Sequence, residues 1–461
     1  MPPIDDGGGS VDASFEDVAQ PPPPPIDSEV PRPDAVPDVV IMPPPTDGAT
    51  PPLCDVLGPV LSVMRANGEK SEVCAGQLAA HTFTHALCAC GDLALGSVRL
   101  VTGSFDSLAA DKSPVGAGAP VGVRGSYPPA GASIGGSLTV AGTAPPRAPV
   151  SGFLDIQGDL RFAGQITFSA AISVKRDAWI ASKVWYVTFA SVERDLYAPS
   201  GGGFFGFTPL NLGGMRHERP VSIEDSCGCA DKLDIAAMEK VGAENNHNLA
   251  NGIDPAALSN VTTAIPPLRI PCGRFRFNSI GGTAPIHLII AGRTAIFVDG
   301  DVAASDSFVL EIAPGTNVEV DWFIGGNLSV GGNAKIGDRT RPSATRIYVA
   351  GTQDIQLSSG SIGANIYAPD TNVSLSAGTL SGSVYGKGVS MPSGGNVIYD
   401  RAILDQGDKC EQPNTCSKCR YCNGGAACVN NTCDVCTKDE DCCAPLVCDL
   451  TLRRCQPLLF R

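Results

Sequence analysis

Gly158-Asp159-Leu160-Arg161-Phe162, Arg176-Asp177-Ala178-Trp179-Ile180 and Arg194-Asp195-Leu196-Tyr197-Ala198 follow one another at intervals of 18 residues. A second series, Ile347-Tyr348-Val349-Ala350, Ile366-Tyr367-Ala368-Pro369 and Val384-Tyr385-Gly386-Lys387, is spaced by 19 and then 18. Self-similarity at a fixed period marks a solenoid. A strand of roughly five residues plus a tight turn takes about six positions. Three such sides close one coil, so this period predicts one rung of a right-handed parallel β-helix. Side chains alternate within each run: Ile366 and Ala368 point one way and Tyr367 the other, as do Val384 and Gly386 against Tyr385. Stacked Ile and Val then fill the bore, and glycines turn the corners. Short apolar runs also suit a β-sandwich, which is the competing fold.

Other segments are read against this repeat. Ile296-Phe297-Val298-Asp299-Gly300 and Trp322-Phe323-Ile324-Gly325-Gly326 stand 26 apart, a spacing that one surface loop per turn explains, with Asp338-Arg339-Thr340-Arg341-Pro342 in such a loop. Residues 1–53, with fifteen prolines, ten acidic residues and one Arg, form a disordered acidic tether. Residues 54–92 read as helical, from Val56, Leu57, Val60, Leu61 and Met64 at three- and four-residue spacing and then Ala79 to Leu87. Residues 93–225 are the first β-helical half. Residues 226–268 are a helical connector that separates or caps the halves, 269–405 the second half, and 406–461 a small disulfide-rich module. Tyr-Ala-Pro occurs at Tyr197 and at Tyr367, as in a duplicated unit.

The chain of 461 residues has a net charge of −14 and only 17% charged residues, with 53 Gly and 38 Pro. No Lys/Arg stripe is present, which argues against nucleic acid as a partner. Eleven of the 18 cysteines fall between Cys410 and Cys455, a density that indicates an oxidising compartment. The expected location is therefore extracellular or on the outer cell surface. Met1-Pro2-Pro3 shows no signal-peptide pattern, so the start reads as internal or processed, just past a lipid-attachment signal of a lipoprotein. No run reaches the roughly 18 apolar residues of a membrane span.

All eighteen cysteines are disulfide candidates: Cys54, Cys74, Cys88, Cys90, Cys227, Cys229, Cys272, Cys410, Cys416, Cys419, Cys422, Cys428, Cys433, Cys436, Cys442, Cys443, Cys448 and Cys455. Cys54, Cys74, Cys88 and Cys90 make two pairings that staple the helices of 54–92. Zinc-like spacing at Cys416-x2-Cys419-x2-Cys422 and Cys433-x2-Cys436, and at His81-x3-His85-x2-Cys88-x-Cys90, gives way to disulfides in such a compartment. Asn245, Asn246, Asn248, Asn251 and Asp254 are too poor in carboxylates for a calcium loop. No metal, cofactor or catalytic residue is expected. A β-helical carbohydrate-active enzyme is the competing class, with Asp299 and Asp301, or Arg176/Asp177 one rung from Arg194/Asp195, as its acids and stabilising cations. Tyr348, Tyr367 and Tyr385, stacked outward at about 4.8 Å, are the candidate ligand-binding surface for a polysaccharide or a partner protein.

The stretch from Ile270 to Asp400, with Pro271-Cys272-Gly273-Arg274-Phe275, Phe323-Ile324-Gly325-Gly326-Asn327-Leu328 and Asn365-Ile366-Tyr367-Ala368-Pro369, resembles an uncharacterised family of exported bacterial proteins with a polymer-forming, bactofilin-like right-handed β-helix. Thr82 to Cys90 and Val174 to Trp179 are similar to the amino-terminal part of the same proteins. Cys436-x5-Cys442-Cys443-x4-Cys448-x6-Cys455 resembles a Dickkopf-like cysteine-rich repeat, which implies a disulfide scaffold. The expectation is a non-catalytic, exported surface protein, structural or adhesive. It self-associates through unpaired end rungs, with 54–90 and the cysteine module as caps, and has cell-envelope glycan as its other partner.

Overall fold

The computed structural model describes residues 58–405, except 97–98, 110–117, 128–129, 144–150, 170, 245, 306 and 359–361, and beyond them 427–429, 432–434, 436–438, 446–449 and 454–457. The acidic tether, Cys54, Cys410, Cys416, Cys419, Cys422, Cys442 and Cys443 lie outside the described residues.

The 18-residue period is a parallel ladder. Leu160–Phe162 pairs in parallel with Ala178–Ile180, and Ala178-Trp179 with Leu196-Tyr197. Each such coil has three short strands: Leu160–Phe162, Ile166–Phe168 and Ile172–Val174 are each joined to their counterparts one period on. Inward side chains stack directly. Phe275, Ile296, Trp322, Ile347, Ile366, Val384, Leu87, Val121, Leu138, Leu160, Ala178 and Leu196 occupy one column in register, all buried.

That column gives the order of the coils, which differs from the order of the chain. The chain enters the stack in the middle, at Leu87–Ala89, and coils outward to Arg216–Glu218. It crosses back through 219–267, re-enters at Leu268–Ile270 and Gly273–Phe277, and coils toward its own beginning. There the halves meet without a covalent link. Val384–Gly386 pairs with Leu87–Ala89, Val389–Met391 with Leu93–Leu95, and Gly395–Asp400 with Leu100–Phe105, all parallel and in register. The connector therefore does not separate the halves, but it does cap one of them, where His247 and Asn248 bond the outer edge of Gly273–Phe277. The connector runs beside the stack, and the halves join strand to strand.

Asp400 fastens this junction. Fully buried, it accepts from Ser107 N (2.9 Å) and Ser107 Oγ (2.7 Å) on one side, and from Ser343 N (3.1 Å) and Ala402 N (3.1 Å) on the other. Four donors satisfy a carboxylate that would otherwise be costly to bury.

Residues 54–92 depart from the helical expectation. Val60–Met64 and Lys70–Cys74 form an antiparallel hairpin. The helix, α1, spans only Ala75–Thr82, and Leu87–Ala89 is a strand in mid-stack rather than a cap. Leu61 and Val63 are buried and their neighbours less so; the run has period 2, and its three-residue spacing is incidental. The wider spacing in the second half is not only a surface loop. Three-residue strands give way to six residues at Arg293–Val298 and five at Phe308–Ile312. Stacked Phe308 and Trp322, with centroids 5.9 Å apart, fill the broader bore.

The expected pairing of cysteines within 54–92 is also corrected. Cys88 bonds to Cys227 and Cys90 to Cys229, each across 139 residues, so both bridges tie the connector to the junction rung. Cys74 and Cys272 are disulfide-bonded as well. In the tail, Cys436 bonds to Cys448, and Ala427–Val429 pairs with Thr432–Asp434, and Leu446–Asp449 with Arg454–Pro457, as antiparallel hairpins.

The two connector bridges share one loop, so their effects are unequal. Closing a loop of about 100 residues stabilises by about 4.7 kcal/mol in the chain-entropy model; once one bridge is made, the second closes only a very small ring. The double variant Cys88→Ser/Cys227→Ser is expected to lose about 2 kcal/mol in a denaturant titration. Removing all four cysteines should cost roughly 7 kcal/mol.

Candidate functional site

Outward side chains of the same ladder form a second column: Phe297, Phe323, Tyr348, Tyr367, Tyr385, Cys88, Gly122, Thr139, Arg161, Trp179, Tyr197 and His217. The connector decides which part of it meets solvent. Helix α2 (Ile235–Glu244) packs over the wide coils, and a Cβ on Gly242 would overlap the Phe297 ring. At the junction rung, a Cβ on Gly122 would overlap Cys227 Sγ, so this glycine lets the connector dock.

The expected ligand-binding tyrosines lie under that cover. Tyr348, Tyr367 and Tyr385 are 0%, 3% and 4% exposed. Tyr348 stacks on Phe323 at 4.7 Å and meets Phe83 at 5.6 Å. Tyr367 Oη accepts from Leu233 N of the connector at 3.0 Å, and Tyr385 Oη lies 3.0 Å from Cys90 Sγ. Burial pushes the Tyr367 hydroxyl up to about 12. These rings are an internal seam rather than an outward binding surface, because the apolar face they make is itself buried, by Phe83 at Tyr348 and by the connector at Tyr367.

Beyond Thr139, itself buried, the column is open. Trp179 stacks on Tyr197 (5.2 Å, 8°) and Tyr197 on His217 (4.6 Å, 12°), all half-buried. The Arg161 guanidinium sits 4.9 Å from the Trp179 ring centre and that of Arg219 4.5 Å from Tyr197. Asp195 closes the group. It accepts from Met215 N (2.8 Å) and Tyr197 Oη (3.4 Å) and lies 3.3 Å from His217 Nε2. The Met215 amide, followed by His217, holds its carboxyl below the usual range. With ring faces turned on each other, the ladder offers edges and polar tips to solvent, suited to hydrogen bonding more than to stacking. Arg161, Trp179 and His217 were not among the expected site residues. The signal was present in the first series, where Arg161, Trp179 and Tyr197 recur at 18.

The carboxylates considered for catalysis serve the corners. Asp159 Oδ1 accepts from Asp177 N (3.4 Å), Asp177 Oδ1 from Asp195 N (3.0 Å) and Asp195 Oδ1 from Met215 N, so each aspartate ties one coil to the next. Arg176 lies 3.5 Å from Asp159 and Arg194 3.7 Å from Asp177, neutralising them one rung apart. Asp301 accepts from Asn327 N at 2.7 Å, and Asn327 Oδ1 accepts from Thr352 N and Gln353 N. Asp299 pairs with Arg276 (Nε to Oδ1 2.9 Å) rather than with Asp301.

Two charged clusters were not legible beforehand. Arg346 is buried and forks onto Asp321 (2.7 and 2.6 Å) while also meeting Glu319 (2.6 Å), which lies 3.1 Å from Arg293. Burial pushes Asp321 up even so. On α2, Glu239 is buried against Asp299; burial and then the hydrogen bond to Asp299 push it up to about 7. Burial would raise Asp299 too, but hydrogen bonds from Arg276 and Glu239 outweigh it and leave it lowered.

Of the metal-like arrangements, Cys88 and Cys90 are consumed by disulfides, and burial lowers His85 to about 4. Asp225 approaches Cys227 and Cys229, but its oxygens accept their backbone N–H groups at 2.9 and 2.8 Å. In the asparagine-rich loop, the Asn248 carboxamide bonds both N (2.8 Å) and O (2.7 Å) of Arg276.

A family described as a domain of unknown function, DUF7305, matches residues 289–406. That segment runs from the first wide coils to the junction and includes the covered tyrosine seam, but not the exposed ladder. No curated protein and no solved structure matches the chain.

Glu239 makes α2 sensitive to pH. Its folded value lies above the ordinary 4.5, so its contribution is fully present below about pH 4.5 and is lost as pH rises through about 7. Glu239→Gln, whose amide can donate to Asp299 at every pH, should remove this slope and stabilise the protein at pH 8 by about 2 kcal/mol. Denaturant titrations of both proteins at pH 5 and 8 check this; equal slopes would refute it.

Proposed function

We propose that the chain is a non-catalytic, right-handed parallel β-helix of the bactofilin type, exported and displayed at the cell surface as a structural or adhesive scaffold. The observation that carries this is the strand pairing that continues through the junction, where 384–400 and 87–105 pair in parallel and in register although the chain is not continuous there. Two sequence halves closing on each other in this way make a single stiff element, and parallel connections of this kind are right-handed almost without exception. Export is supported by the disulfides on the connector and in the tail, which persist in oxidising compartments. A non-catalytic role is supported by the way the corner carboxylates are spent on backbone N–H groups of the next coil.

Surface biotinylation of intact cells of the source should label the chain, and alkylation without reductant should leave Cys88, Cys90, Cys227 and Cys229 unmodified. Labelling only after lysis would remove the surface assignment. On a panel of polysaccharides the purified chain should release no new reducing ends. Release that Asp301→Asn abolishes would replace the scaffold with an enzyme.

The exposed ladder favours a second role, adhesion to envelope polysaccharide at Arg161, Trp179, Tyr197 and His217. The half-buried ring edges and the Asp195 carboxylate are the groups a sugar would meet. In affinity electrophoresis through polysaccharide-containing gels, Trp179→Ala should abolish retardation and Tyr367→Phe should leave it intact. Equal retardation of both variants would dismiss the ladder as a glycan site.

A further inference from the structure

The coils that carry the exposed ladder are basic in a chain that is not. Residues 158–219 hold seven Lys or Arg against five Asp or Glu, whereas the whole chain has a net charge of −14. The two signs also lie at different depths. The Asp159 and Asp177 side chains are only 12% and 15% exposed, and their oxygens accept from backbone N–H groups of the next coil. The Arg161, Arg176 and Arg194 side chains beside them are 49%, 50% and 59% exposed, so guanidiniums are what these coils turn to solvent. Arg176 and Arg194 stand one rung apart, with Arg194 N donating to Arg176 O at 3.3 Å, which sets cations along the stack at about the 4.8 Å strand spacing. One coil further the corner holds Gly214 in place of an arginine. There Arg219, exposed and with no carboxylate partner among the described residues, lies 4.5 Å from the Tyr197 ring centre. A guanidinium over a ring contacts it with its face, and its N–H donors, which lie in the plane, stay free to fork onto an oxyanion.

We propose that the ligand of this ladder is a linear acidic polysaccharide of the uronate class, lying along the stack with its carboxylates on Arg161, Arg176, Arg194 and Arg219. This rests on the reading of the ladder as a glycan site and adds the charge of the glycan. A polymer that repeats a carboxylate on every sugar presents anions at regular intervals, as the coils present cations, and the planar carboxylate matches the guanidinium fork. The sugar hydroxyls then meet the edges of Trp179, Tyr197 and His217. Asp195 is held by Met215 N, Tyr197 Oη and His217 Nε2, and its remaining acceptor capacity suits a hydroxyl. A single-stranded nucleic acid is the other regular polyanion, but its bases bind by stacking on open ring faces. Here the faces are turned on one another, Trp179 on Tyr197 and Tyr197 on His217, which leaves edges that suit hydroxyls and exclude stacked bases.

The test is calorimetric titration of the full chain with oligogalacturonate and oligomannuronate, each beside its methyl ester, which keeps the sugar and removes the charge. The acids are expected to bind about tenfold or more tightly than their esters, and to weaken as salt is raised. Arg161→Gln and Arg219→Gln should each weaken the acids about tenfold and leave the esters unchanged, while Trp179→Ala should abolish binding of both. Esters that match the acids, and are lost with Trp179→Ala, would overturn the proposal and keep the ladder as a site for neutral glycan. Arginine variants that bind the acids as the parent does would refute it as well. If neither acids nor esters bind, the proposal and the glycan reading of the ladder fail together. Equal competition by a single-stranded oligonucleotide of matched charge would replace the glycan with nucleic acid. Unfolding transitions of the variants that match the parent show that a loss of binding is local to the ladder.

Discussion

Between Gly386 and Leu87 no peptide bond runs, yet Val384–Gly386 and Leu87–Ala89 stack as neighbouring rungs, with all three sides of the coil continuing across the gap. Each half of the stack supplies the edge that the other would leave open. Unpaired backbone groups on a buried edge cost free energy, and Leu87 and Val384 would lose their apolar neighbours if the halves parted. The four donors on Asp400 and the two disulfides from Cys88 and Cys90 converge on this same level. Interactions of very long sequence separation are therefore concentrated at one plane. Each of them carries the loop-closure entropy of a long intervening chain, a cost that the local coils do not bear.

The connector follows from that arrangement. A chain that begins in mid-stack and must re-enter at the far end has to travel back along the outside, and where it travels it covers the outward column. Phe297, Phe323, Tyr348, Tyr367 and Tyr385 become core, with α2 and the hairpin of Val60–Met64 above them. Arg346, Asp321 and Glu319 are buried beneath the same cover and must neutralise one another there, since isolated charges would not tolerate it. Past Cys227–Cys229 the cover ends, and chemically similar residues, Trp179, Tyr197 and His217, face water.

Arg-Asp pairs recur for a related reason. A corner between two short strands leaves the N–H of the following coil directed at the corner above, and an aspartate there accepts it. The series Asp159, Asp177, Asp195 and the pair Asp301, Asn327 repeat one solution to that local requirement. Carboxylates at regular spacing in this chain thus report on how coils are joined. Glu239 and Asp299, a neighbouring pair shifted in opposite directions, sit where the connector meets the coil.

The period of 18, the inward and outward alternation and the stacked parallel neighbours could be read from the amino acids, because a solenoid repeats one local environment and each repeat states it again. The oxidised cysteines could be read too, though not their partners. What tertiary structure alone decided is the order of the coils and hence which equivalent side chains are covered. Tyr197 and Tyr367 sit in the same Tyr-Ala-Pro context and the same outward position, yet one is half-exposed and the other 3% exposed. Nothing near either residue encodes that difference. It arises from a segment more than a hundred residues away passing over one and not the other, and such a contact is a property of the closed fold.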